Sequence, residues 1–246
     1  MRAVLLALLL CLVAGLARAE PVDLELALAA DGSGSIDDEE LRLQREGYAE
    51  AITHPSVLAA IRSGYLGAIA VTYIEWGGPA SQHTIVDWTL IRDEGDAAAF
   101  AERLRTSPRQ AIGYNSISNV VAYAGRKIAE NGHEGTRKVI DVSGDGPQIG
   151  GRPLPLVRAE TLAAGITINA IAIDSPSGGV SGPGGMPLNL HYRRDLIGGP
   201  GAFVMVAEDR QHFREAILQK MLLEISDALP SPARLAAVGA LPAPAK

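Results

Sequence analysis

Short apolar runs alternate along this chain with segments whose apolar residues recur at helical spacing. Several of the runs, such as Ala68–Val71 and Ile168–Ile173, lack strict polar alternation. Strands that are buried on both faces have this composition, and strands that alternate with helices form parallel sheets. The pattern predicts an α/β fold with a doubly wound, mostly parallel six-stranded sheet and helices on both faces.

One pair of predicted strands is joined by a link that is too short for a crossover helix. The link Gly77–Ser81 fits a hairpin, so the strand after it is predicted to be an antiparallel edge strand. The six strands are predicted at Leu24–Ala30, Gly67–Trp76, Thr84–Thr89, Lys138–Val142, Thr167–Ile173 and Phe203–Val206. Helical periodicity predicts five helices at 37–52, 96–104, 116–130, 155–164 and 209–225.

The amino-terminal segment 1–19 has the pattern of a secretory signal peptide. Arg2 precedes the apolar stretch Val4–Leu16, and Ala17-Arg18-Ala19 has the small residues of a cleavage site. The apolar stretch is too short to span a membrane, so we expect no direct membrane anchor in the mature protein. The sequence predicts cleavage near Ala19, a periplasmic or secreted location, one domain over 20–228 and a disordered Pro/Ala-rich tail over 229–246.

The cysteine content limits how the mature fold can be stabilised, and the charge limits its partners. Cleavage after residue 19 would remove Cys11, the single cysteine, together with two arginines, which leaves 20 basic and 28 acidic residues and a net charge of −8. The mature fold must then be stabilised by core burial without disulfides. An acidic chain without basic clusters argues against nucleic acid and anionic lipid as partners.

The pentapeptide Asp31-Gly32-Ser33-Gly34-Ser35 directly follows the first predicted strand. It places a carboxylate and two hydroxyls on one short loop, and hard oxygen donors are the ligands that Mg²⁺, Mn²⁺ and Ca²⁺ prefer. Two further loops also carry oxygen donors and glycine. Loop 113–116 lies just before a predicted helix, and loop 143–146 directly follows a predicted strand. Because ligands of doubly wound sheets bind beyond the carboxyl ends of the strands, we expect the three loops to meet. The three loops would then bring their oxygen-rich side chains to one edge of the sheet.

With these motifs the chain resembles the von Willebrand factor A (vWA) domain family over 24–225. Its D-x-S-x-S loop matches the metal-ion-dependent adhesion site (MIDAS) of that family, and Asp145-Gly146 looks like the family's third-loop Asp-Gly. The segments 139–146 and 197–203 look more narrowly like a bacterial exported branch of unknown function.

The resemblance implies a role for each residue of the site. It implies direct metal ligation by Ser33 and Ser35, and ligation by Asp31 and Asp145 either directly or through water. The threonine of the second loop is absent here: Asn115 stands at its place, with the hydroxyl of Ser116 one position further on.

The function that the resemblance implies is binding of a protein partner whose acidic side chain completes the coordination of a divalent cation. Mg²⁺ is the expected cation, with Mn²⁺ or Ca²⁺ as alternatives, and no catalytic residue is assigned. Two other interpretations stay open: a metal-assisted hydrolase that uses the same site, and a metal-free module that binds through the irregular loop Ser175–Pro187. The oligomeric state does not follow from the sequence.

Other interpretations of the pentapeptide are an ordinary tight turn or a different ligand loop. An EF-hand would need glycine and glutamate where Ile36 and Arg42 stand, and neither a P-loop nor a Gly-x-Ser-x-Gly elbow is present. Asp141, inside a predicted strand, either faces the cleft or has a buried partner, and Asp174 either supports the site or caps a loop. The five histidines have no metal-ligand spacing and are expected to be structural: His54, His83, His133, His191 and His212.

Overall fold

The sheet is organised around the first strand, which has parallel neighbours on both sides. The computed structural model describes residues 19–173, 182–207, 210–226 and 241–242. In these residues the strand order is β3-β2-β1-β4-β5-β6-β7, where β3 and β7 are antiparallel to their neighbours. The strands are β1 (Glu20–Asp31), β2 (Ile69–Trp76), β3 (Gln82–Ile91), β4 (His133–Gly144), β5 (Thr167–Ile173), β6 (Phe203–Ala207) and β7 (Leu241–Pro242).

The predicted fold class is confirmed, and so are all six strands and the β2–β3 hairpin. The structure adds the two-residue β7, and it lengthens three strands at their amino ends, β3 by two residues and β1 and β4 by more. β1 begins at Glu20 rather than Leu24, and β4 begins at His133 rather than Lys138, because these polar ends pair with each other. An apolar pattern alone does not detect such a pairing.

Seven α-helices are present in the described residues, and they cover both faces of the sheet. Side chains of α1, α2, α3 and α7 pack in one buried cluster, and side chains of α4, α5 and α6 pack in another on the opposite face. The helices are α1 (Asp38–Thr53), α2 (Pro55–Arg62), α3 (Glu94–Thr106), α4 (Ile117–Ala129), α5 (Leu154–Ala163), α6 (Leu188–His191) and α7 (Arg210–Ile225). Within the described part of the chain, no helix combines the length and apolarity needed to cross a bilayer.

Two of the helices were not expected from the sequence. α2 starts directly after α1, separated only by His54, and Pro55 occupies its first position, where the missing N–H of proline has no cost. α6 continues into a π-helical turn, Tyr192–Leu196, which lies under the third loop. Most of the predicted signal peptide, the loop residues 175–181, Asp174 and the tail outside 241–242 lie outside the described residues, so those assignments stay predictions.

A buried charge cluster fixes α7 to the centre of the sheet. Lys220 Nζ lies 2.7 Å from Asp141 Oδ1 and also contacts Glu224, and all three side chains are buried. Asn169 Nδ2 donates a hydrogen bond of 3.0 Å to Glu224 Oε1. Burial, together with the charge of Glu224, raises the pKa of Asp141 to about 7 in spite of Lys220. Asp141 therefore has a buried partner, as one of the two sequence interpretations proposed, and does not face the candidate site.

Removing the ammonium of this cluster should destabilise the fold strongly. We expect Lys220→Met to lower the free energy of unfolding by about 3–5 kcal/mol at pH 8, because Asp141 and Glu224 lose their counter-charge. Urea unfolding followed by circular dichroism measures the change. The control is Lys127→Met, which breaks the partly exposed pair with Asp87 and should cost at most about 1 kcal/mol. Equal effects of the two substitutions would contradict this role of the cluster.

Candidate metal site

The first loop turns sharply at the end of β1, and its own polar groups fix its shape. The backbone carbonyl of Asp31 accepts a hydrogen bond from Gln44 Nε2 (2.8 Å), while Asp31 Oδ1 accepts one from the Ser33 amide (2.8 Å). A carboxylate that accepts from the amide two residues on is the usual device that closes such a turn. The hydroxyl oxygens of Ser33 and Ser35 then lie 3.0 Å apart, the first buried and the second exposed.

Arg109, from the segment after α3, holds the backbone of the same loop. Its Nη2 donates to the carbonyl oxygens of Gly32 (3.2 Å), Ser33 (3.0 Å) and Ile36 (2.7 Å). Its Nη1 donates to Asp38 Oδ1 at 2.8 Å, which links the loop to the first turn of α1. One guanidinium therefore fixes three carbonyls of the loop.

The third loop meets the first at the end of β4. In the sheet Ala30 is aligned with Ser143, so Asp31 and Asp145 follow at nearly the same level, and Ser35 Oγ donates to Asp145 Oδ1 at 3.1 Å. Gly144 allows this approach, because a Cβ there would lie 2.8 Å from Tyr192 Oη and 3.3 Å from Asp31 Oδ2. The four residues Asp31, Ser33, Ser35 and Asp145 are thus brought together at the ends of β1 and β4.

The second loop contributes two residues that differ in their contacts. Asn115 is buried, its amide lies against Gly146 of the third loop, and its Oδ1 has no hydrogen-bond partner among the described residues. Ser116, directly before α4, donates its hydroxyl to the carbonyl of Gly150 at 2.7 Å. Asn115 thus has an oxygen without a hydrogen-bond partner, whereas the Ser116 hydroxyl, which keeps its lone pairs, is held against the loop after Asp145.

The electrostatics of the site are unfavourable without a positive charge. Asp31 is completely buried, and within the described residues its Oδ2 lacks a hydrogen-bond partner. Burial and the nearby charge of Asp145 raise the pKa of Asp31 to about 7. The same two carboxylates and burial raise the pKa of Tyr192 well above its usual value; its hydroxyl donates to the Gly146 carbonyl at 2.7 Å.

The donor set determines which ions the site can hold. The described residues contain no cluster of three or more His, Cys, Asp or Glu side chains arranged for a metal. The assembled atoms are carboxylate, hydroxyl and amide oxygens, and two buried oxygens among them lack partners. Such a set fits a hard cation that keeps some of its water, as Mg²⁺ does, better than it fits a metal that selects sulfur or imidazole.

Three residues that shape the site were not identified from the sequence: Arg109, Gln148 and Tyr192. Arg109 acts on backbone carbonyls, which leave no pattern in the sequence. Gln148 accepts from the Ser118 amide (2.9 Å) and so caps α4, whose preceding residue Ser116 makes no side-chain cap. Tyr192 follows a segment without apolar periodicity, so no sequence pattern predicted that its ring would lie against the third loop.

Comparisons with known proteins agree with the geometry. The family model described as "Protein of unknown function (DUF1194)" matches residues 21–229. A search of curated proteins finds no significant match. Three solved structures illustrate the likeness: the pilus adhesin SpaC from Lactobacillus rhamnosus GG, the proximal thread matrix protein 1 from the mussel byssus with a zinc-occupied MIDAS motif, and a von Willebrand factor type A protein from Catenulispora acidiphila.

These structures share the fold at low sequence identity. The identities are 12%, 13% and 15%, with TM-scores of 0.61, 0.58 and 0.58 in the same order. The matches cover 85%, 83% and 83% of this chain, but only 31%, 46% and 43% of the three structures, so the chain spans a third to a half of their length. The fold is therefore vWA-like, as the sequence motifs indicated.

The raised pKa of Asp31 predicts a stability cost that depends on pH in cation-free buffer. The folded state holds the Asp31 proton to about pH 7 and the unfolded state only to about 3.8, so stability falls as the pH rises between these values. We expect Asp31→Asn to raise the free energy of unfolding at pH 8 in EDTA by about 2–4 kcal/mol. The gain should shrink steadily towards pH 4. Urea unfolding at pH 4, 6 and 8 measures it, and a gain that does not change with pH would contradict the assignment.

Proposed function

We propose that this chain, which belongs to the DUF1194 family of proteins of unknown function and has a vWA-like fold, binds a protein partner through a divalent cation. The observation that carries the proposal is the buried Asp31 Oδ2, which lacks a partner among the described residues. A buried, unpaired carboxylate is costly, and Asp145 adds a second negative charge close by. A fold keeps such an arrangement where a ligand compensates it, and perturbed acids of this kind cluster at functional sites.

We assign a separate role to each part of the site. Ser33 and Ser35 ligate through their hydroxyls, and Asp31 and Asp145 act directly or through water. Asn115 takes the place of the threonine with its unpartnered Oδ1. Ser116 holds the loop that follows Asp145 in place, because its hydroxyl donates a hydrogen bond to the Gly150 carbonyl.

A bound cation would supply the positive charge that lets an acidic side chain of the partner approach the two aspartates. Mg²⁺ is the cation that we propose, and Mn²⁺ and Ca²⁺ are alternatives with the same preference for oxygen. A matrix protein with a zinc-occupied MIDAS motif and a pilus adhesin share the fold, and these likenesses support a metal-dependent binding role. The signal-peptide pattern over 1–19 supports a periplasmic or secreted location.

A metal-assisted hydrolase at the same site would need a base beside the cation. His191 precedes Tyr192, but it is buried and both of its ring nitrogens are engaged. Its Nδ1 lies 2.7 Å from Asp195 Oδ2, and its Nε2 accepts the Gln148 amide at 3.4 Å. His191 is therefore not free to serve as that base, and we propose binding rather than hydrolysis.

Cation binding should stabilise the mature protein. At a concentration near 100 times the dissociation constant, a ligand adds about 2.7 kcal/mol, which for a domain of this size raises Tm by about 5–10 °C. We expect this shift with Mg²⁺ or Mn²⁺ relative to EDTA in the wild type, and no shift in Asp31→Ala. Differential scanning fluorimetry measures both. Asp87→Asn removes an exposed carboxylate of β3 and serves as the control that keeps the shift. The proposal fails if millimolar Mg²⁺, Mn²⁺ and Ca²⁺ all leave the wild-type Tm unchanged.

The contacts of the second loop predict that substitution of Asn115 lowers cation affinity, whereas substitution of Ser116 lowers stability. Asn115→Ala should weaken cation affinity by about tenfold or more, whereas Asn115→Thr should retain it. Ser116→Ala should leave the affinity within about twofold but lower the free energy of unfolding by about 1 kcal/mol, because the bond to Gly150 is lost. Isothermal titration with Mn²⁺ and urea unfolding separate the two quantities. A loss of affinity in Ser116→Ala alone would assign the ligand role to Ser116.

A further inference from the structure

The loops around the candidate site carry almost no charge. The segments 77–81, 110–119 and 143–151 contain one charged residue in total, Asp145, although charged residues make up 20% of the chain. The first loop has none between Asp31 and Asp37. The two aspartates of the site are thus surrounded by neutral loops, and the guanidinium that contacts the first loop, that of Arg109, is bound to three of its carbonyls and paired with Asp38.

The same loops expose large apolar side chains. Ile112 is 73% exposed, and Tyr114 and Ile149 are each 63% exposed. Seven large hydrophobic residues are exposed in the described part of the chain, and these three are the ones that the neutral loops carry. The other four are Tyr65, Leu66, Leu156 and Leu190.

The three side chains come from loops that are in direct contact with each other and with the first loop. The ring of Tyr114 lies against Gly34, where an added Cβ would be 3.4 Å from Cζ. The Ile149 amide donates to the Asn115 carbonyl at 2.9 Å, and the Ile112 carbonyl accepts from the Gly78 amide at 2.8 Å. Ile112, Tyr114 and Ile149 are therefore exposed on adjoining loops next to the candidate metal site, and we name these three side chains the apolar collar.

We infer that the partner presents a single carboxylate flanked by apolar or aromatic side chains on a peptide segment, so that the carboxylate reaches the site and the flanks cover the apolar collar. This inference rests on the proposed function. Charged flanks would lose water against the collar without gaining an ionic contact, which opposes binding. Apolar flanks would instead remove exposed apolar area from water on both partners.

Selection from a peptide library tests the inference directly. The probe is a phage-displayed library of heptapeptides with Asp or Glu fixed at the centre, selected on the mature protein in Mg²⁺ and in EDTA. We expect Leu, Ile, Phe, Trp or Tyr to be enriched beside the fixed carboxylate in Mg²⁺. The enriched peptide should bind the triple variant Ile112→Ser, Tyr114→Ser, Ile149→Ser about tenfold or more weakly than the wild type.

A matched variant and the thermal shift keep the result interpretable. Tyr65→Ser with Leu66→Ser removes two exposed apolar side chains just before β2, at the opposite edge of the sheet, and should leave peptide affinity within about twofold. Both variants should keep the cation-induced rise in Tm, which shows that the fold and the metal site are intact.

Three results would overturn the inference. Enrichment of charged flanks, or equal affinity of the triple variant and the wild type, would exclude the apolar collar as a contact surface. Failure to enrich any peptide, while Mg²⁺ still raises Tm, would exclude a peptide partner and point to a carboxylate on another class of molecule. Enrichment of apolar flanks equally in EDTA would support the collar and contradict the proposed role of the cation, so the two proposals fail separately.

Discussion

The parallel pairing of β1 with β4 is the constraint on which the rest of this structure depends. It aligns Ala30 with Ser143, so the chain leaves both strands at the same height, and the DGSGS loop comes within hydrogen-bond distance of Asp145. A slip of one residue would turn the alternating side chains of β1 to the wrong faces. The leucines of β1 would then point to the face on which Ala27 and Ala29 now pack with the side chains of α4. The packing of helices on the two faces of the sheet therefore determines the register of β1 with β4. The register in turn determines where the first and third loops meet.

The site itself opposes folding, and its surroundings compensate. Asp31 is buried with a like charge nearby, so the surrounding scaffold must hold the loops in place. Gln44 binds the Asp31 carbonyl, Arg109 binds three carbonyls of the first loop, and Tyr192 binds the carbonyl of Gly146. All three act on backbone, and the side-chain oxygens Asp31 Oδ2 and Asn115 Oδ1 are left without a partner among the described residues. A site that is held by its backbone can keep its ligand groups unsatisfied without losing its shape.

The parts of the fold that the sequence predicted are those that hydrophobic patterning governs. Buried strands such as β2 and β5, and helices with one clear apolar face such as α4, follow from that pattern, and the D-x-S-x-S motif located the first loop. Arg109 and the π-helical turn at Tyr192 could not be predicted, because their partners are carbonyls, which every residue has. Sequence alone could not separate Asn115 from Ser116, since both carry an oxygen; their contacts differ only in the structure, where Ser116 binds the Gly150 carbonyl and Asn115 Oδ1 has no partner among the described residues.

The absence of charge from the loops around Asp145 has a kinetic consequence. Proteins that recognise charged partners usually gain encounter rate from an oppositely charged surface, and lose that gain as ionic strength rises. Here the chain has a net charge of −6, and the loops themselves contain no positive residue that would attract the acidic partner that we propose. Long-range forces would delay the encounter, and dissolved salt would relieve that repulsion. Recognition at this surface should therefore become faster as salt is added, until the ions begin to compete for the acidic group.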